Sequence, residues 1–230
     1  PVFASDSAVS QLVSTYRTAV APLAAKVSGV LEGGALRIAN SAGESVLGRM
    51  VADSMLHATS DIASGGAQIA FMNSGGVRAD LVPESSSGEV TYGQLYSVLP
   101  FGNNLVVMSY TGEQLQRLLE QQFNSGTNTV TQPRILQVSN GFSYEFDLNQ
   151  PAGQRIANMR LNDAPIQASS TYRVAIQSYL STGGDNFSTF TEGRDVTGGM
   201  IDLDAFVAYV RERSAQQPMA LPTTPRIVRR

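Results

Sequence analysis

The chain has 230 residues, 42% hydrophobic and 15% charged, with a formal net charge of -3. That is enough for one sizeable core or two small ones; it gives no basic footprint for nucleic acid, and no apolar run approaches the ~18 residues of a membrane span. With no cysteine, disulfides and thiolate metal sites are excluded.

In chain order, residues 5–28 read as a helix. Ser5 or Asp6 is a candidate cap, and Val9, Leu12, Val13, Tyr16, Val20, Leu23, Ala24 and Val27 recur at helical spacing. Pro22 is expected to kink or split it. A second helix is expected from about Glu44 to Ser60, with Val46, Leu47, Met50, Val51 and Met55 on one face. Arg49 reads as a solvated charge on that helix. His57, the chain's only histidine, reads as a surface or packing residue, because no other His or Cys can join it on a metal.

Strands are expected at about 67–72, 105–110, 142–147 and 172–177. Helices are expected at about 111–123, capped by Thr111, and at about 202–213. The polar loop 124–131 reads as mobile. Elements in this order predict an α/β (α+β) fold, a mixed sheet with helices packed on it.

Three segments share one design, a strand or apolar run ending in a glycine turn that presents a polar or aromatic side chain. In Phe71-Met-Asn-Ser-Gly-Gly-Val-Arg78, Gly75 and Gly76 let the backbone bend tightly, and Arg78 follows as a planar cation. The plain alternative is a turn with a surface arginine. In Leu99-Pro-Phe-Gly-Asn103, Phe101 sits between a proline and Gly102, where a ring either plugs the core or faces a flat partner. In Tyr172 to Phe187, a strand runs into Gly183-Gly184-Asp185, with Tyr179 six residues before the aspartate. Asp185 alone reads equally as a turn former.

With Glu44-Ser-Val-Leu-Gly-Arg-Met-Val-Ala-Asp53, Asn73-Ser-Gly-Gly-Val-Arg78, Leu99-Pro-Phe-Gly-Asn103, Thr111-Gly-Glu-Gln-Leu115 and Thr182-Gly-Gly-Asp-Asn-Phe187 in this order, the chain resembles the C-terminal domain of the bacterial 5'-nucleotidase/UDP-sugar hydrolase family. The resemblance runs from about residue 30 to the end. It implies a lead-in or linker helix over 1–30 and a substrate-binding domain over 31–230; the alternative for the first segment is a packed N-terminal helix. It implies that Phe101 and Tyr179 flank a base, with Tyr179 standing where the family has a phenylalanine. It places Asp185 on the ribose hydroxyls, Asn103 on the base edge, and Asn73 and Arg78 on the sugar and phosphate region. The family's arginine seven residues before Gly48 is Ser41 here, which leaves Arg37 as the substitute candidate.

The family's catalytic domain precedes this one and holds two divalent metal ions; none of its motifs occurs here. The sequence begins at Pro1, and the expectation is a mature product or fragment, the substrate-binding half of a two-domain 5'-nucleotidase, inactive alone and with no cofactor of its own. Alternatives are the same domain of a 2',3'-cyclic-nucleotide phosphodiesterase or UDP-sugar hydrolase, or a non-catalytic binding module. The expected partners are a nucleotide or nucleoside and the N-terminal metallophosphoesterase domain. The low charge fraction leans towards a periplasmic or secreted protein.

Overall fold

The computed structural model of the chain describes residues 6–230. Its first half contains α1 (Ser7–Ala24), β1 (Val27–Val30), α2 (Val46–Thr59), β2 (Ile69–Asn73), β3 (Glu89–Thr91), α3 (Tyr92–Val98), β4 (Asn104–Thr111) and α4 (Gly112–Glu120). The second half contains β5 (Leu136–Val138), β6 (Phe142–Phe146), β7 (Ile156–Leu161), β8 (Ala164–Pro165), β9 (Thr171–Gln177), α5 (Ser178–Ser181), β10 (Arg194–Ile201), α6 (Asp202–Arg213) and β11 (Ile227–Arg229).

A five-stranded mixed sheet in the order β10-β4-β9-β2-β5 forms the centre. Strand β2 runs parallel to β9, and the other neighbours pair antiparallel. Because side chains alternate across a strand, this sheet divides two cores. From β2, Ala70 and Met72 enter one core while Ile69 and Phe71 enter the other. Strand β4 splits Leu105 and Val107 from Met108 and Tyr110, and β9 splits Ala175 from Val174 and Ile176. The first core is closed by α2 and α6, through Leu47, Met50, Val51, Met55, Phe206 and Val210. The second is closed by α4 and by a four-stranded sheet, β11-β6-β7-β8, through Leu115, Leu118, Leu119, Phe142 and Tyr144.

Local capping chemistry starts two of the helices. Thr91 and Thr111 each cap a helix in a reciprocal pair with a glutamine three residues on, Gln94 and Gln114. The N-terminal helix is capped by Asp6, and the other candidate, Ser5, lies outside the described residues. This helix is not split by Pro22, which falls in its last turn and precedes its end by two residues. Val27, expected on the helix, belongs instead to β1. No residue of α1 is buried: Val9, Leu12, Val13, Tyr16, Val20 and Leu23 form an exposed apolar stripe. Leu12→Asp and Tyr16→Asp should therefore change the unfolding free energy by no more than about 0.5 kcal/mol, read as an unmoved midpoint in a urea titration. A clear loss would mean that the stripe packs onto the body.

Arg49 corrects the expectation of a solvated charge. It is 4% exposed, pairs with Glu44 at 3.2 Å and donates to the Thr224 carbonyl at 2.9 Å. The Glu44 carboxylate also accepts from the Arg226 backbone N–H, and the Arg226 guanidinium makes a two-pronged pair with Asp53 at 2.7 Å. These groups tie the C-terminal segment to α2. The loop 124–131 is mostly exposed but tied down at Asn128. Asn128 is 1% exposed, and its side-chain amide donates to the backbone carbonyls of Gln121 and Asp185 at 3.1 and 2.8 Å.

Candidate functional site

One end of the central sheet gathers the tips of all five strands. There β2 ends at Asn73 and turns through Ser74–Gly76, and β9 ends at Gln177 and enters α5. Strand β4 starts there, with Leu105 opposite Gln177, and β5 starts with Leu136 opposite Asn73. Strand β10 ends with Ile201 opposite Asn104, so Asp202 follows at the same end. The tips enclose a cavity of about 400 Å³. Asn73, Gly75, Gly76 and Arg78 line it from the β2 turn, Phe101 and Asn103 from the turn before β4, Gln177, Tyr179 and Asp185 from the end of β9 and beyond, and Arg134 from the approach to β5.

Two rings are presented rather than plugged into a core: Phe101 is 60% and Tyr179 is 44% exposed. The Arg78 guanidinium carbon lies 5.8 Å from the Phe101 ring centroid, within cation–π range, and its NH1 donates to the Gly75 carbonyl at 3.0 Å. Gly76 has a steric reason to be glycine. A methyl group there would come within 2.5 Å of Met72 and 2.7 Å of Asn73. Gly183, at φ +85°, makes the left-handed turn that swings Asp185 back towards Tyr179.

Asp185 is the hub. Its Oδ2 accepts from the Asn73 amide at 2.7 Å, and its Oδ1 accepts from the Tyr179 hydroxyl at 3.0 Å. The same hydroxyl accepts from the Asp185 backbone N–H at 3.1 Å, and Arg134 stands 3.5 Å from Oδ1. Behind the rings, buried Asp202 accepts from the Leu203 backbone N–H at 2.8 Å, from the Asn103 amide at 3.5 Å and, at short range, from the Gln177 amide. Burial pushes the Asp202 carboxyl above the usual carboxylate range, opposed by these donated hydrogen bonds.

Of the residues singled out in the sequence, Asn73, Gly75, Gly76, Arg78, Phe101, Asn103, Tyr179 and Asp185 meet around this one cavity, and Gly102 forms the turn between Phe101 and Asn103 at φ +64°. Arg37 is not among the lining residues. It donates to the Val77 carbonyl at 3.1 Å, and its backbone N–H to Asp80 at 2.7 Å. The second cation of the cavity is Arg134, which sequence reasoning missed together with Gln177 and Asp202.

Two metal ions of the kind the resemblance implies need several imidazole and carboxylate ligands. The residues here do not fit them. His57 is hydrogen-bonded to Glu212 at 3.0 Å and edge-on to Tyr209, and the described residues contain no group of three or more His, Cys, Asp or Glu able to hold an ion.

Comparison with known proteins gives the family of the domain. The family profile "5'-nucleotidase, C-terminal domain" matches residues 24–192, and the chain belongs to that family. It is 34% identical over 178 residues to the trifunctional nucleotide phosphoesterase protein YfkN of Bacillus subtilis, covering 74% of this chain and 11% of that protein. A crystal structure of a 5'-nucleotidase precursor from Thermus thermophilus superposes with a TM-score of 0.79 at 32% identity, covering 96% of this chain and 42% of that one. The NAD nucleotidase of Haemophilus influenzae shares the fold, with a TM-score of 0.72 at 24% identity over 97% of this chain and 41% of that one. The chain thus spans less than half the length of each of these three proteins.

Proposed function

We propose that residues 31–230 form the nucleoside-recognition domain of a two-domain 5'-nucleotidase, preceded by a linker that includes α1. The base stacks between Phe101 and Tyr179, which tolerates different bases because each has a π-face. The ribose diol donates to Asp185, Asn103 meets the base edge, and Arg78 meets the anionic side of the nucleotide. The observation that carries the reading is the pair of exposed rings in the cavity that also holds the Asp185 carboxylate. Hydrolysis belongs to the metal-bearing N-terminal domain of such an enzyme. This domain contributes by holding base and ribose while the phosphate reaches that centre, which turns binding energy into proximity.

The direct test is calorimetric titration of this chain with adenosine and 5'-AMP. Saturable one-to-one binding is expected, weakened about tenfold or more by Asp185→Ala as the diol loses its charged acceptor. Affinity unchanged by that substitution would overturn the ribose assignment. The chain alone should release no phosphate from 5'-AMP when manganese or zinc is added; measurable release would sink the division of labour.

A second reading, the same domain in an enzyme acting on 2',3'-cyclic nucleotides, is favoured by the position of Arg134 beside the carboxylate proposed for the diol. Tighter binding of 2',3'-cyclic AMP than of 5'-AMP would select it. Export to the periplasm or cell surface is proposed because the relatives include a Listeria monocytogenes protein named cell wall protein Lmo0130.

A further inference from the structure

Asp202 plays no direct part in the clamp, yet it is buried behind it and bonded to two of the cavity's amides. An ionised carboxylate only accepts hydrogen bonds. It therefore dictates how both amides point: their NH2 groups turn to Asp202 and their carbonyl oxygens turn away. Asn103 Oδ1 receives a long bond from the Ser178 hydroxyl, 3.4 Å. Gln177 Oε1 receives none among the described residues, and Gln177 lines the cavity.

Asn73 repeats the pattern. Its NH2 is committed to Asp185, and its Oδ1 is buried with no partner among the described residues. Asn73 Oδ1 is sealed from solvent, so the bare oxygen left to meet a ligand is that of Gln177, a residue lining the cavity. An acceptor left unpaired in a cavity wall marks the place of an N–H donor, since an unsatisfied polar group is costly.

We infer that Asp202, acting through Gln177, gives the cavity floor an acceptor character that selects bases carrying an exocyclic amino group over those with a carbonyl in its place. The inference rests on the base-clamp reading above. An amino group supplies the missing donor. A carbonyl turned to the same floor sets one acceptor against another, a repulsive element that rejects the wrong base. Asp202 touches no ligand in this scheme and is a positioning residue; Gln177 makes the contact.

The test is the dissociation constant of this chain for adenosine against inosine and for cytidine against uridine, pairs that differ in this one feature of the base edge. The wild type should favour the amino member of each pair by about tenfold. Asp202→Asn frees the Gln177 amide to turn over, and Gln177→Leu removes its oxygen without altering Asp202; either should bring the ratio close to one. A merely structural role would lower all four affinities and the melting temperature together and leave the ratios intact. Equal affinities in the wild type, or ratios preserved in a folded variant, overturn the inference. If one variant fails to fold, the wild-type ratios and the other variant decide. Phe101→Ala separates the two readings: unchanged adenosine affinity there, with the amino preference intact, sinks the clamp and leaves the floor standing.

Discussion

Glu44→Ala is expected to destabilise the chain by about 3–5 kcal/mol, the usual result of removing one partner from a buried ion pair. The substitution leaves the Arg49 guanidinium buried without its carboxylate and strips the Arg226 N–H of its acceptor. A urea titration should show the midpoint fall with little change in slope. Glu44→Gln keeps an acceptor in place and should cost less. Its pH dependence has a definite sign. Burial, the largest influence, holds the Glu44 carboxyl above its ordinary value of 4.5. At pH values well below 4.5 both folded and unfolded forms carry the proton. As pH rises through the raised folded value, the unfolded form releases it more readily, so stability attached to the protonated acid is lost. The wild type should therefore lose ground to Glu44→Gln as pH climbs from about 4 towards 7. A pH-independent gap between the two would refute the desolvated carboxylate.

The second large effect is on affinity. Phe101→Ala and Tyr179→Ala should each weaken adenosine binding by about 1–3 kcal/mol, the cost of one lost stacking face, with no matching fall in melting temperature. The contrast follows from their exposure, since a ring truncated at the surface leaves no cavity, whereas truncating a core ring such as Phe71 should cost about 3–5 kcal/mol of stability. Parallel losses in melting temperature and affinity would return both rings to a packing role.

Much of this was legible in the sequence because it is local. The helix 202–213 and the helix capped by Thr111 follow from periodicity and capping chemistry, and the strands near 69, 105, 142 and 172 from apolar runs. Strand β10 was illegible: Arg-Asp-Val-Thr-Gly-Gly-Met-Ile is largely exposed, shows no alternation, and is held by pairing to β4. Helix α3 was missed although Thr91 and Gln94 spell its capping box. The glycine turns advertised Arg78, Phe101 and Asp185. Arg134 and Asp202 are different. Nothing local distinguishes an arginine after Pro133 or an aspartate opening a helix, and each gains its place only because β5 pairs with β2 and β10 with β4. Arg49 misled for the same reason, since its partners include Thr224 at the far end of the chain.

The split of the central sheet between two cores has an evolutionary consequence. Along β2, β4 and β9 alternate side chains are committed to one core or the other, so drift there is restrained by packing. At the strand tips Phe101, Tyr179, Arg78 and Arg134 belong to neither core. If the cavity binds as proposed, mutations at those positions would retune what it accepts while the two cores stay intact, and a lineage built on this domain could change its diet without first acquiring a stabilising reserve.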